Sequence, residues 1–207
     1  MAIIGVTGGI GSGKSTFCDL LQEVLPLERF DADRVAQEKL ARDEKVREAV
    51  KRDISLHAYR EDGVPDRELI RKIVFSDRDA KSRLERILHP LVREAWRSRV
   101  ADIRESGGHF LVDIPLLFET GAEKYFDHVV VVACSTATQL DRIHARGIGF
   151  EEAQAILCAQ MPTMAKVARA DRVVWNDGSR RCLGDQVMVF AACAQELPPT
   201  DRNRIDP

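Results

Sequence analysis

Gly8-Gly9-Ile10-Gly11-Ser12-Gly13-Lys14-Ser15-Thr16 spells G-x-x-x-x-G-K-S, and its flanks match its chemistry. The apolar stretch Ala2-Ile3-Ile4-Gly5-Val6 precedes it and the helix-like Thr16-Phe17-Cys18-Asp19-Leu20-Leu21 follows it. Strand, glycine loop and helix in that order make a cradle for nucleoside triphosphate phosphates. Glycines let the backbone curl so that successive N–H groups face the β-phosphate, and the helix N-terminus adds roughly half a positive charge. Lys14 is placed to reach the β/γ-oxygens and the Ser15 hydroxyl to ligate Mg²⁺. Gly11, Ser12, Gly13, Lys14, Ser15 and Thr16 are the expected ATP contacts. An ordinary glycine-rich turn is the competing explanation.

Phosphoryl transfer needs cations around the migrating group and a base near the acceptor hydroxyl. Asp31 and Asp33 follow a weak strand, Leu27 to Phe30, at the sheet end where α/β ligands bind. Residues two apart in extended chain point the same way, so both can face the site; Asp33 is the preferred base, while one of the two can equally cap the next helix. Asp113 ends the apolar run Phe110-Leu111-Val112 and either joins the Mg²⁺ shell or satisfies nearby polar groups. Arg142 and Arg146, four apart, share a helix face; arginine forks suit phosphoryl oxygens, although charged faces are commonly just solvated. His89, before Pro90, reads first as a core or turn histidine and second as a substrate contact. Asn176-Asp177-Gly178 reads first as a turn, and Asn176 second as a contact to the nucleotide base.

These groups need a scaffold. Ile3–Val6, His109–Ile114, His128–Ala133 and Arg172–Trp175 are apolar runs of the kind buried in a parallel sheet, with Leu27–Phe30 a weaker fifth. Helical patterns separate them: an apolar stripe from Leu84 to Ile103, with Pro90 expected to break it or open a second helix, and a helix opened by Thr136-Ala137-Thr138-Gln139 at capping-box spacing. The fold class is α/β, a doubly wound parallel five-stranded sheet. Within one domain over residues 1–196, the charged span of about 35–108 is expected to form a helical subdomain and about 147–170 a lid; 197–207 reads as a disordered tail.

The length suits one such domain. Thirty-one basic and thirty-three acidic residues leave a charge of −2, which argues against a nucleic-acid partner. No apolar run is long enough for a membrane span, and a strand at the very start leaves no room for a signal peptide, so the cytoplasm is expected. The five scattered cysteines, with no C-x-x-C pair, read as buried free thiols rather than disulfides or a zinc site. Oligomeric state is not legible.

Taken together, these motifs resemble the dephospho-coenzyme A kinase family from about Ile3 to Val187. The resemblance rests on Thr7–Thr16, Asp31-Ala32-Asp33, Asp62-Gly63 with Asp66-Arg67, Val74-Phe75, and Leu88-His89-Pro90. Asp113-Ile114-Pro115-Leu116-Leu117-Phe118-Glu119, Thr138-Gln139-Leu140 with Arg142 and Arg146, Gln160, Ala170-Asp171 and Asn176 with Gly178 complete it. It implies a P-loop fold like that of the nucleoside-monophosphate kinases, with the helical span binding the acceptor. It further implies that ATP phosphorylates the ribose 3′-hydroxyl of dephospho-coenzyme A. On that resemblance Asp33 is the base, Lys14 and Arg142 are catalytic, and Thr7, Asp31, His89 and Arg146 lie on the substrate side. The chain departs from the family pattern at 41–60, at Val64-Pro65 and at Gly147-Ile148-Gly149.

Three other readings are weighed, one an inactive ATP-binding regulator, which is expected to lose a catalytic group where this chain keeps Lys14, Ser15, Asp33 and Arg142. Another small-molecule phosphotransferase shares most of the motifs. A nucleotide-dependent switch would show N-K-x-D, and a D-x-x-G after a strand, which this chain lacks.

Overall fold

The computed structural model describes residues 2–194; the expected tail, 197–207, lies outside them. Two compact units are present, one of residues 2–31 with 100–194 and one of 32–99.

The first unit is built on a parallel sheet of β1 (Ala2–Thr7), β2 (Leu27–Asp31), β3 (His109–Asp113), β4 (His128–Ala133) and β5 (Arg172–Trp175), in the order β2-β3-β1-β4-β5. Both β1 and β4 are buried throughout, as their near-continuous apolar runs require. β5 departs from the expectation of full burial: it is an edge strand, with Arg172, Val173 and Trp175 exposed. The Gln186 amide closes part of that edge, donating to the Trp175 carbonyl (2.9 Å) and accepting its N–H (3.0 Å).

The core on one side of the sheet joins Ile4, Val6 and Val130 to Phe17 and Leu21 of α1 (Lys14–Val24) and to Leu183, Val187 and Phe190 of α9 (Arg180–Ala194). Phe17 and Phe190 meet edge to face at 5.7 Å. Each such fully buried side chain contributes about 1.5–3 kcal/mol, which anchors the helix that follows the glycine loop. The chain runs from β1 through β2 and β3 on one side, then continues through β4 and β5 on the other. The reversal opens a crevice at the carboxyl end of β1, where ligands bind in sheets of this kind.

The second unit holds α2 (Ala32–Arg42), α3 (Glu44–Asp53), α4 (Arg67–Ser76) and the start of α5 (Arg78–Ser106). Its small core is Leu40, Val46, Val50, Ala58, Tyr59 and Ile70, with Leu84, Ile87, Leu88 and Leu91 packed against it. Side-chain caps start two helices: Asp43 accepts from Lys45 and Val46 N–H, Asp66 from Leu69 N–H. Pro90 does not break the helix; α5 runs through it. Proline removes one backbone donor, and the apolar contacts of Leu84, Ile87, Leu88 and Leu91 on both sides hold the helix together.

Three further sequence expectations change. Cys18 and Cys134 are buried, but Cys158, Cys182 and Cys193 are exposed, all as free thiols. The helix α6 (Thr136–His144) is capped one residue earlier than expected, by Ser135, whose Oγ accepts from Thr138 N–H. The strand β2 ends at Asp31 and α2 begins at Ala32, so Asp33 lies in a helical first turn rather than in extended chain.

Candidate active site

The glycine loop stands where β1 gives way to α1. Gly13 has φ 91°, a left-handed backbone that favours glycine, and a Cβ there would meet Asn176 Nδ2 at 2.2 Å. A Cβ on Gly8 would lie 2.2 Å from the Val132 carbonyl oxygen. Because Gly13 caps α1 without a side chain, the first-turn N–H groups have no side-chain cap and are offered to an anion.

Polar side chains from distant parts of the chain grip this loop. Gln139, buried on α6, donates to Ile10 O (2.8 Å), while Gln160 Oε1 accepts Ile10 N–H (3.1 Å). Arg142 donates to the carbonyls of Gly11 (3.2 Å), Ser12 (3.3 Å) and Asn176 (2.9 Å). Asn176, buried just past β5, donates to Ser12 O at 2.8 Å. The structure therefore brings Arg142 and Asn176 to the loop. Arg146 lies past the end of α6, beyond the reach of the shared-face expectation, and is exposed.

Beside the loop, the strand register aligns Val6, Asp113 and Asp31 across β1, β3 and β2. Arg29 bridges the carboxylates: 2.6 Å to Asp19, 3.2 Å to Asp113 Oδ2 and 3.9 Å to Asp31. Asp113 Oδ1 is buried without a hydrogen-bond partner, 3.9 Å from Lys14 Nζ. Burial pushes the Asp113 carboxyl above its ordinary range, against the pull of Lys14 and Arg29, and Asp31 adds to the rise. Burial and then Asp113 push the Cys18 thiol up strongly, so it stays protonated and inert. Among the described residues no group of three or more His, Cys, Asp or Glu side chains can hold a metal. An orphaned carboxylate oxygen and the exposed Ser15 hydroxyl are instead the sparse oxygen set that suits Mg²⁺, a cation held largely by substrate phosphates.

Thr7, the last residue of β1, is buried, and its hydroxyl donates to Pro115 O at 3.0 Å. The span 147–170 holds α7 (Phe150–Cys158) and α8 (Thr163–Val167). Lys166, on α8, is fully buried, which a polar lid did not foretell; it pairs with Glu119 (2.9 Å) and donates to Pro115 O (2.8 Å).

In the helical unit, Asp33 occupies the first turn of α2. His89 is not a core residue: half-buried, it lines an open groove of about 720 Å³ with Glu85, Arg86, Arg93, Glu94 and Arg97. Burial lowers its pKa, against the opposing pull of Glu85 and with Arg93 adding to the lowering, which favours the neutral ring.

Sequence reasoning missed Arg29, Lys166 and the function of Gln139 and Gln160. Both glutamines stand in the motifs shared with the kinase family, which was the available signal; Arg29 and Lys166 gave none.

Residues 2–181 match the family model described as Dephospho-CoA kinase. The chain belongs to the dephospho-CoA kinase family. A dephospho-CoA kinase of Chlorobaculum tepidum is 39% identical over 190 residues, covering 89% of this chain and 91% of the relative. One from Anaeromyxobacter dehalogenans is 41% identical over 187 residues, with 88% and 87% covered. The solved dephospho-CoA kinase from Campylobacter jejuni superposes with a TM-score of 0.70 at 26% identity, covering 94% of this chain and 97% of its own. The chain is thus an enzyme, a kinase of the P-loop fold. Among the described residues, no helix is long and apolar enough to cross a membrane.

Proposed function

We propose that this kinase transfers the γ-phosphoryl group of ATP to the ribose 3′-hydroxyl of dephospho-CoA, giving CoA and ADP, and does so in the cytoplasm. Membership of the dephospho-CoA kinase family, coupled to a loop already braced for phosphates, carries this reading.

Ser15 and Asp113 would hold Mg²⁺ alongside the phosphates, and the ion would supply charge neutralisation there. The chain's own residues do the rest. Gly11, Ser12, Gly13 and Thr16 surround the phosphates, and Lys14 holds the β/γ-oxygens. Asp33 accepts the proton of the 3′-hydroxyl as its oxygen bonds the γ-phosphorus and the bond to the β-bridging oxygen breaks. Arg142 adds positive charge while fixed to the loop carbonyls, and Asn176 places the adenine side. Residues 32–99 bind the acceptor, with His89; Thr7, Asp31 and Arg146 complete the substrate side. Arginines 86, 93 and 97 around the groove suit a diphosphate-bearing acceptor. The 147–170 span closes over the phosphates and excludes water.

The test is ADP release from ATP and Mg²⁺ with dephospho-CoA, adenosine, AMP, shikimate and gluconate as acceptors. Dephospho-CoA is expected to be turned over far better than the others. Equal turnover of any other acceptor overturns the substrate and leaves the kinase class standing.

A further inference from the structure

Lys166 is a fully buried ammonium on the short helix α8. Burying a charge costs several kcal/mol unless it is paired, and this one is paired by Glu119 and the Pro115 carbonyl. That carbonyl also receives the Thr7 hydroxyl from the residue before the glycine loop. Glu119 Oε1 accepts Met161 N–H as well (2.8 Å), and neighbouring Gln160 holds Ile10 inside the loop. The 160–166 segment is therefore tied to the loop at one end and, at the other, to the turn that leaves β3 at Asp113. Burial lowers the Lys166 pKa, Glu119 opposes that, and Lys14 adds to the lowering, so the two ammonium groups feel each other.

We propose that Lys166 is a positioning residue for phosphoryl transfer. Its ammonium fixes the Asp113–Glu119 turn to the end of β1 through Pro115, and so sets where Asp113 stands relative to Lys14. Glu119 keeps that ammonium charged in its buried site. The working contact is the one to Pro115. The proposal rests on the reaction proposed above.

The experiment compares Lys166→Met, Glu119→Gln and the double variant with wild type, reading Tm, kcat and the KM for ATP. Wild-type turnover of dephospho-CoA checks the reaction; the ratio of variant to wild type checks Lys166. Lys166→Met is expected to lower both Tm and kcat, since misplacing a catalytic group by about 1 Å costs on the order of 10²-fold. KM for ATP should stay within about threefold, because the loop that binds it is untouched. Glu119→Gln keeps the bond to Pro115 and should slow kcat about tenfold less than Lys166→Met does. The double variant no longer leaves the Glu119 carboxylate facing a methionine in place of its ammonium partner, so Tm recovers while kcat stays low. A double variant that unfolds, or that regains kcat along with Tm, makes Lys166 a purely structural residue and overturns the proposal. So does Glu119→Gln as slow as Lys166→Met.

Discussion

The glycine loop and the helical unit are held together by opposite means. The loop is gripped by polar side chains from far along the chain, the Asn176–Ser12 bond spanning 164 residues of sequence. The helical unit relies on local caps and a small apolar core of its own. The loop is thus held in place by the protein itself, and such preorganisation favours charge stabilisation in a transition state without reorganisation. The helical unit lines an open groove with Arg86, Arg93 and Arg97.

The largest effect is expected at the proposed base. Asp33→Asn keeps size and hydrogen bonding but removes the basic oxygen, so kcat should fall about 10²–10⁴-fold with ATP affinity nearly unchanged. Asp31→Asn should be milder; a reversal of the two in steady-state kinetics would reassign the base. Lys14→Ala should cost on the order of 10²–10³ in kcat while circular dichroism and Tm show an intact fold. Near-normal turnover there would mean that the preorganised loop is not the working phosphate site.

Core and brace can be separated next. Ile70→Ala cuts the core of the helical unit and should cost about 2–5 kcal/mol in denaturant unfolding. Gln139→Ala leaves the half-buried Ile10 carbonyl short of its donor, worth about 1–3 kcal/mol, and should raise KM for ATP more than it lowers kcat. If Ile70→Ala raised the ATP KM as much, the contrast between the two regions would collapse.

The smallest effect concerns the turn beside Asn176. Bonds from Thr138, Ser135 and Trp175 hold exposed Asp177 down at about 2. Its folded pKa is depressed, so its stabilisation is present above the ordinary value of 3.8 and is lost as pH falls toward about 2. Asp177→Asn should flatten the fall of Tm across that window and change little near neutrality.

How much was legible follows from how each feature is encoded. Asp113 was found at the end of its strand because a continuous apolar run of β-branched and leucine residues can scarcely be anything else. The extended chain expected through Asp31 and Asp33 is absent, because the backbone turns helical at Ala32. Burial of Lys166 was invisible, since a lone lysine in a helical span looks like every solvated lysine until Glu119 and Pro115 are brought to it.

The sequence by itself determined the phosphate loop, the strand that feeds it and the helix that follows, because their chemistry depends on contiguous spacing along one backbone turn. Tertiary structure alone decided what holds that loop still. Gln139, Arg142, Gln160 and Asn176 reach it from positions far along the chain, and Arg29 reaches Asp113 across the sheet. No local period records such partners; only the parallel register and the packing of α6 against the loop bring donor to acceptor.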